Sequence, residues 1–377
     1  MRLTRGSLRR WLTIGLLWAF FAQAVLVAQE TSITLDEPLH IASGYSILRT
    51  GDYRLVEEHP PFLKMLQAAP LLLADPPPAE DVQALPGWAE RDLIVFAQHL
   101  VVDYRPIDPL VFAARVPTML IGVLLGVLIF RWAADLAGQR GALPVLAVVL
   151  FAFDPNLLGH AAVAATDLGA AAGILAALYS FWRWLRDPVG PRWSRALLAA
   201  IALGIALGTK NTALILGPIY ALLLVSVVAR KGRVGSYLTQ ALFVACGAGV
   251  TLWAIYGFEF GPAAGIPFSI PAPSHLLPLR KLQEHMREGH SAFLMGQNYH
   301  HGDWRYFPVA FALKPPPLTL GLGTWAMMKL IGEVVAPGLS SERRATITGN
   351  QSSFPAPGPL DCKDSLLRRV LRVADGL

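Results

Sequence analysis

The feature that most constrains this chain is a series of apolar blocks long enough, or nearly long enough, to cross a lipid bilayer. A hydrocarbon core of roughly 30 Å takes about 20 residues of helix. Inside it every backbone N–H and C=O must find a partner within the protein, which makes the α-helix the ordinary spanning element. The blocks run over residues 11–28, 111–132, 142–153, 165–182, 196–207, 212–229, 237–256 and 306–331. They predict an all-α membrane protein, with a bundle of about eight spans in residues 1–335 and a polar tail at 336–377. Only 15% of the residues are charged, against about 25% in soluble domains, so a water-soluble fold is excluded.

Charge then orients the bundle. Arg2, Arg5, Arg9 and Arg10 precede the first block and place the N-terminus in the cytoplasm. Further basic clusters fall at every second turn: Arg131 and Arg140; Arg183, Arg186, Arg192 and Arg195; Arg230, Lys231 and Arg233. The net charge of +6 is thus a positive-inside signature, and nucleic-acid binding is excluded. The competing reading of the first block is a signal peptide cleaved near Ala22-Gln23-Ala24; its length and the spans that follow favour a retained helix. On this threading the carboxylate-rich segment 29–110 is a large first loop on the outside, and residues 62–74 within it form an amphipathic helix lying at the interface. Residues 257–304 form a second outer loop. The tail is expected to be disordered, apart from a short basic helix over 365–373. Cys246 and Cys362 lie in an apolar block and in the tail, so neither a disulfide nor a thiolate metal site is expected.

Polar groups at the outer ends of spans are costly to desolvate and mark a site or a water-filled cavity. Asp36-Glu37-Pro38-Leu39-His40 follows the first span; Asp36 either caps a helix or serves as a general base, with Glu37 and His40 beside it. In Glu57-Glu58-His59-Pro60-Pro61, followed by Lys64, the lysine either snorkels to headgroups or holds a lipid-linked phosphate as a point charge. Thr166 or Asp167 caps the next span, or else Asp154 and Asp167, which bracket a short outer turn, bind a cation or order a donor; Lys210 is a second phosphate candidate on the same face. Histidines 275, 285, 290, 300 and 301 have no regular spacing and read as a solvated loop rather than a metal site.

In this order the clusters resemble bacterial members of glycosyltransferase family 39, the polyprenyl-phosphate-sugar-dependent transferases related to protein O-mannosyltransferases and to the lipid A aminoarabinose transferase. The resemblance rests on LDEPLHIASGYSILRTGDYRLVEEHPPFLKMLQAAPLLL, FDPNLLGHAAVAATDLGAAAGILAALYSFWRWL, ALGIALGTKNTALIL and HSAFLMGQNYHHGDWRYFPVAFALKPPPLTL, which together cover residues 35 to about 320. It implies a GT-C bundle in the bacterial inner membrane with a periplasmic active site. It makes Asp36 the catalytic base supported by Glu37, sets Glu58, His59 and Pro60 at the start of the interfacial helix, and matches Asp167 to the family's Thr-Asp. Where some relatives carry lysine before the proline this chain has His59, so Lys64 is expected to substitute. Family members usually continue with further spans beyond the Lys-Pro segment at Lys314, which makes this chain a truncated or frame-shifted reading or a short divergent member.

The mechanism the resemblance implies is a single displacement with inversion. A polyprenyl phosphate sugar docks with its phosphate against Lys64, Lys210 or Arg54, and Asp36 takes the proton of an acceptor hydroxyl on a protein, lipid or glycan. A divalent cation is compatible with this chemistry without being demanded by it. The alternatives are an inactive homologue or a lipid or solute transporter; a transporter would bury charges at mid-span, whereas here they gather at one face.

Overall fold

The computed structural model describes residues 5–332 except 76, 138–141, 187–191, 232–233, 264, 290 and 330, so the expected tail at 336–377 and its basic helix lie outside the described residues. The first apolar block forms α1 (Arg5–Glu30). A short link leads to α2 (Glu37–Thr50), which ends at Gly51 with a left-handed φ of 70° and its N–H donated to the Ile47 carbonyl. Next comes α3 (Phe62–Ala68), extended by a 3₁₀ turn to Leu73, and then α4 (Leu93–Ala97), whose first N–H groups donate to the Asp92 carboxylate. These elements enclose their own core of Ile41, Tyr45, Leu55, Phe96 and Leu100.

The segment expected to lie on the bilayer surface packs one of its faces into the protein. α3 buries Leu63, Lys64, Gln67 and Ala68 and packs on α2 and, as the chain continues, on α5 (Ile107–Ala137) and α9 (Trp193–Thr209). Gly44 of α2 makes this approach possible, since a Cβ there would run into the Lys64 carbonyl. Gln67 donates to Thr118 Oγ1 and to the Ala165 carbonyl, both at 3.0 Å, and so ties α3 to two further segments. An apolar run of seven residues cannot bury polar side chains by itself; neighbouring helices supply their partners.

After α5 the chain forms α6 (Leu143–Ala152) and α7 (Pro155–Ala161), which meet at 61°. Then follow α8 (Asp167–Leu185), α9, a 3₁₀ turn at 211–215 leading into α10 (Leu216–Lys231), and α11 (Val234–Ile255). Among the described residues, five helices are long and apolar enough to span a membrane, or six if the bent α6–α7 pair counts as one. This is a multi-helix membrane protein. Two of the eight expected blocks fall short of that measure. α9 has 17 residues, and the last block is divided at Lys314-Pro315-Pro316 between a short helix (Tyr306–Leu313) and another over 317–329. Proline's missing N–H and its clash with the preceding turn account for the division.

The loop between α11 and that last block is not helical throughout. It holds the antiparallel hairpins β1 (Phe260–Pro262) with β2 (Ser269–Pro271) and β3 (Ala292–Leu294) with β4 (Gln297–Tyr299), on either side of α12 (Leu276–Glu288).

Small residues let α8, α9 and α11 approach closely. Ala199 and Ala200 are fully buried, and a Cβ on Gly204 would meet the Ala248 carbonyl. Trp184 donates its indole N–H to Gln240 across this interface at 2.8 Å, and Tyr220 its hydroxyl to the Ala177 carbonyl at 2.6 Å. Leu222 and Leu242 point outward, as lipid-facing side chains do. Three contacts gather the helix ends at one face: Arg115 near the start of α5 reaches Ala28 near the end of α1, Lys210 after α9 reaches Asp167 at the start of α8, and Tyr53 reaches Ile255 at the end of α11.

Candidate functional site

At that face a cavity of about 320 Å³ is lined by Asp36, Leu39, His40, Glu57, Glu58, His59, Lys64, Leu93, Ile94, Ala165, Thr166, Asp167, Lys210 and Lys281. Six separate segments of the chain contribute, and seven of the expected site residues, Asp36, His40, Glu58, His59, Lys64, Asp167 and Lys210, meet there.

Asp36 occupies the N-cap position of α2, but its side chain makes no capping hydrogen bond. It is exposed and lines the cavity, and among the described residues its carboxylate oxygens accept no hydrogen bond. Glu37, next to it, is fully buried and does not line the cavity. Its Oε1 accepts from Arg115 Nε at 2.7 Å and from the Ala164 N–H at 2.8 Å. Its Oε2 accepts from Arg115 Nη2 and the Thr34 N–H, both at 2.8 Å, and from the Thr34 hydroxyl at 3.1 Å. Burial alone would raise the Glu37 pKa, but the hydrogen bonds from Arg115, Ala164 and Thr34 and the arginine's charge outweigh it and hold the pKa below the usual value. Glu37 therefore cannot touch a substrate. Its contacts with Arg115, Thr34 and Ala164 fix the link between α1 and α2 in which Asp36 lies.

Arg115 was hidden in a span. It spends all five N–H donors, two on Glu37 and three on the carbonyls of Ala28, Thr31 and Ser32, and so fastens the end of α1 to the start of α2. The signal was an arginine four residues into an apolar block, a placement too costly to be idle.

The histidines stack, with ring centroids 6.2 Å apart. His59 Nδ1 lies 2.9 Å from the Glu58 carbonyl, which can only accept, so Nδ1 carries the proton and Nε2 is an acceptor. Burial, then Lys210 and Lys64, depress the His59 pKa to about 4, while burial and Lys64 push His40 well down too. Both rings are therefore neutral at pH 7, and His59 offers an acceptor suited to a hydroxyl rather than to a phosphate oxygen. Glu58 itself has a φ of 55°, unusual for a residue with a side chain. Its carbonyl is held from two sides, by the His59 ring and by Asn211 Nδ2 at 3.0 Å.

Lys64 is buried and donates to the Glu57 carbonyl at 2.7 Å; burial lowers its pKa to about 8 against the opposing charges of Glu57 and Glu58. Its ammonium keeps two further donors. An anion held by this ammonium should bind up to about ten-fold more weakly at pH 9 than at pH 7, because a group with this pKa is mostly deprotonated at the higher value. Titration of a phosphate-bearing lipid across that range measures the effect, and a flat profile would remove Lys64 from the anion site. Lys210 meets Asp167 at 2.6 Å, and Asp167 lies 3.7 Å from His160.

Two expected residues lie elsewhere. Arg54 pairs with Asp52 at 2.8 Å and covers the Trp88 ring at 4.7 Å, so it does not line the cavity as a phosphate ligand. Asp154 caps α7, accepting from the Asn156 and Leu157 N–H groups at 2.9 and 3.1 Å. Among the described residues no three His, Cys, Asp or Glu side chains come together to hold a metal ion. His275 is not simply solvated, since it packs edge-to-face on Tyr256. His300 and His301 are exposed, and His290 lies outside the described residues, as do the contacts of the His285 side chain. Lys281 reaches this cavity, and Asn211 the Glu58 carbonyl in its wall, only through the fold, so neither residue is marked by the sequence.

A search of curated proteins found no match to the chain. Residues 102–269, somewhat under half of the chain, match the family model described as dolichyl-phosphate-mannose-protein mannosyltransferase; the match takes in Asp167 and Lys210 and stops short of Asp36 and Lys64.

Proposed function

We propose that this protein is a membrane glycosyltransferase of GT-C type, moving a sugar from a polyprenyl-phosphate donor to an acceptor hydroxyl on the non-cytoplasmic face of the bacterial inner membrane. The observation that carries the proposal is the meeting, in one cavity at the ends of apolar helices, of the Asp36 carboxylate, which makes no capping hydrogen bond, with the ammonium groups of Lys64 and Lys210. The family match over residues 102–269 points to the same donor chemistry.

In this reading the donor's isoprenoid tail stays in the bilayer while its phosphate meets Lys64 and Lys210. The acceptor oxygen attacks the anomeric carbon from the side opposite the phosphate, forming the new glycosidic bond with inversion. The bond from that carbon to the phosphate oxygen breaks, and its electron pair leaves with the polyprenyl phosphate. Asp36 takes the acceptor's proton, so charge balances without a covalent enzyme intermediate. The lysines neutralise the charge that grows on the leaving phosphate, an electrostatic contribution worth most in a site shielded from water. His59 Nε2 is left to accept from a sugar hydroxyl. The two ammonium groups can neutralise the leaving phosphate without a divalent cation, and the chemistry is compatible with one.

The test is incubation of the full chain in nanodiscs with a panel of polyprenyl-phosphate sugars and candidate protein, lipid and glycan acceptors, read by mass spectrometry. Release of polyprenyl phosphate coupled to a glycosylated acceptor is expected for at least one pair. Binding of every donor without turnover of any would instead support an inactive homologue, and donor movement across the bilayer without chemistry a transporter.

A further inference from the structure

Three lysines line the cavity, and they are not equivalent. Lys210 is neutralised by the Asp167 carboxylate at 2.6 Å, and Lys64 is buried with one hydrogen committed to a backbone carbonyl. Lys281, on α12, has as its nearest acidic partner among the described residues Glu284, at 3.9 Å, beyond hydrogen-bonding range, and its side chain keeps 41% of its exposure. Of the three, its side chain is the most exposed, against 17% for Lys210 and a buried Lys64.

Its position is also fixed. Asn211 Nδ2 donates to the Glu58 carbonyl at 3.0 Å and approaches the Pro278 carbonyl at 3.4 Å, so one buried amide links the acidic wall of the cavity to the first turn of α12. Pro278 and Lys281 are three residues apart on that helix and share a face, which is why the lysine comes to line the cavity. α12 lies in a loop rather than in the membrane bundle, so a charge on it can meet a ligand whose other end lies in lipid.

We infer that Lys281 is a phosphate-binding residue: α12 supplies a third cation to the cavity, which grips the phosphate ester of a lipid held also by Lys64 and Lys210. This rests on the donor class proposed above. It adds a contact from an extramembrane loop, one that a site built from helix ends alone would lack.

The test uses the full chain in nanodiscs, with undecaprenyl phosphate as the probe and undecaprenol as the uncharged control. Lys281→Ala is expected to weaken phosphate-lipid binding about ten-fold and to flatten its salt dependence, with undecaprenol binding unchanged. Lys281→Arg, which keeps the charge, should stay within about three-fold of the native protein. Equal affinity of Lys281→Ala and native protein for undecaprenyl phosphate would overturn the inference while leaving the proposed donor intact. So would a parallel loss of undecaprenol binding, which would mark a packing defect. Native protein that distinguishes neither lipid would overturn the donor class itself, and Lys281's role with it.

Discussion

Asp36→Asn is expected to lower glycosyl transfer by at least about 100-fold, and by as much as 10,000-fold, while leaving expression, folding and binding of the lipid donor at native levels. Asparagine has nearly the same shape and cannot take a proton from an acceptor hydroxyl. The expectation of an undamaged fold comes from the geometry: Asp36 is exposed and its side chain makes no capping hydrogen bond, so the substitution leaves no buried group without a partner. Initial rates with the best donor from the panel, alongside the donor's dissociation constant, separate the two effects. A variant that turns over at the native rate would remove Asp36 from the chemistry, and a variant that fails to bind donor would make it a binding residue.

A second large effect is expected at Arg115, and there the loss should be of the fold itself. Arg115→Ala would leave the fully buried Glu37 carboxylate without its counter-charge and three backbone carbonyls without their donor. Removing one partner of a buried pair typically costs about 3–5 kcal/mol, a large share of the stability of most folded domains. Lysine should not rescue it, since one ammonium cannot reproduce five N–H groups fixed in a plane. The double variant Arg115→Ala with Glu37→Gln should cost less than the two single losses summed, because it removes the charge that the first change strands. Thermal unfolding in detergent measures all four proteins. Additive losses would show that the two side chains do not act as a unit, and a native-like Arg115→Ala would show that the link between α1 and α2 has other means of support.

Much of this molecule could be read from its order of residues. Apolar runs of membrane-crossing length can only be satisfied as helices, so the class of the fold followed from composition and spacing. Asp36, Lys64, Asp167 and Lys210 stood out because ionisable groups beside such runs are costly unless they line something wet. What stayed out of reach was contact. The segment 62–74 is short and mixed in polarity, which says nothing of what its inner face meets; those contacts depend on Gly44, Thr118 and Ala165, none adjacent to it in sequence. The last apolar block looked continuous by hydropathy and is divided where prolines withhold their N–H groups.

The roles within the site divided along the same line. Asp36 and Glu37 are neighbours in the chain and chemically alike, and nothing in their spacing separates an open carboxylate from a saturated one. Arg115, 78 residues further on, makes that distinction by taking Glu37 into the core. Arg54 and Asp154 are acceptable candidates by residue type, yet Asp52 and Trp88 hold the first, and the turn at α7 uses the second. By itself, then, the sequence determined that this is a helical membrane protein and which ionisable residues gather near its helix ends, because desolvation and backbone hydrogen bonding act on every segment locally. Which of those residues face one another, and which are spent on holding the fold, was decided only by the tertiary structure, because a hydrogen bond or ion pair between segments exists only once packing has brought both partners within about 3 Å.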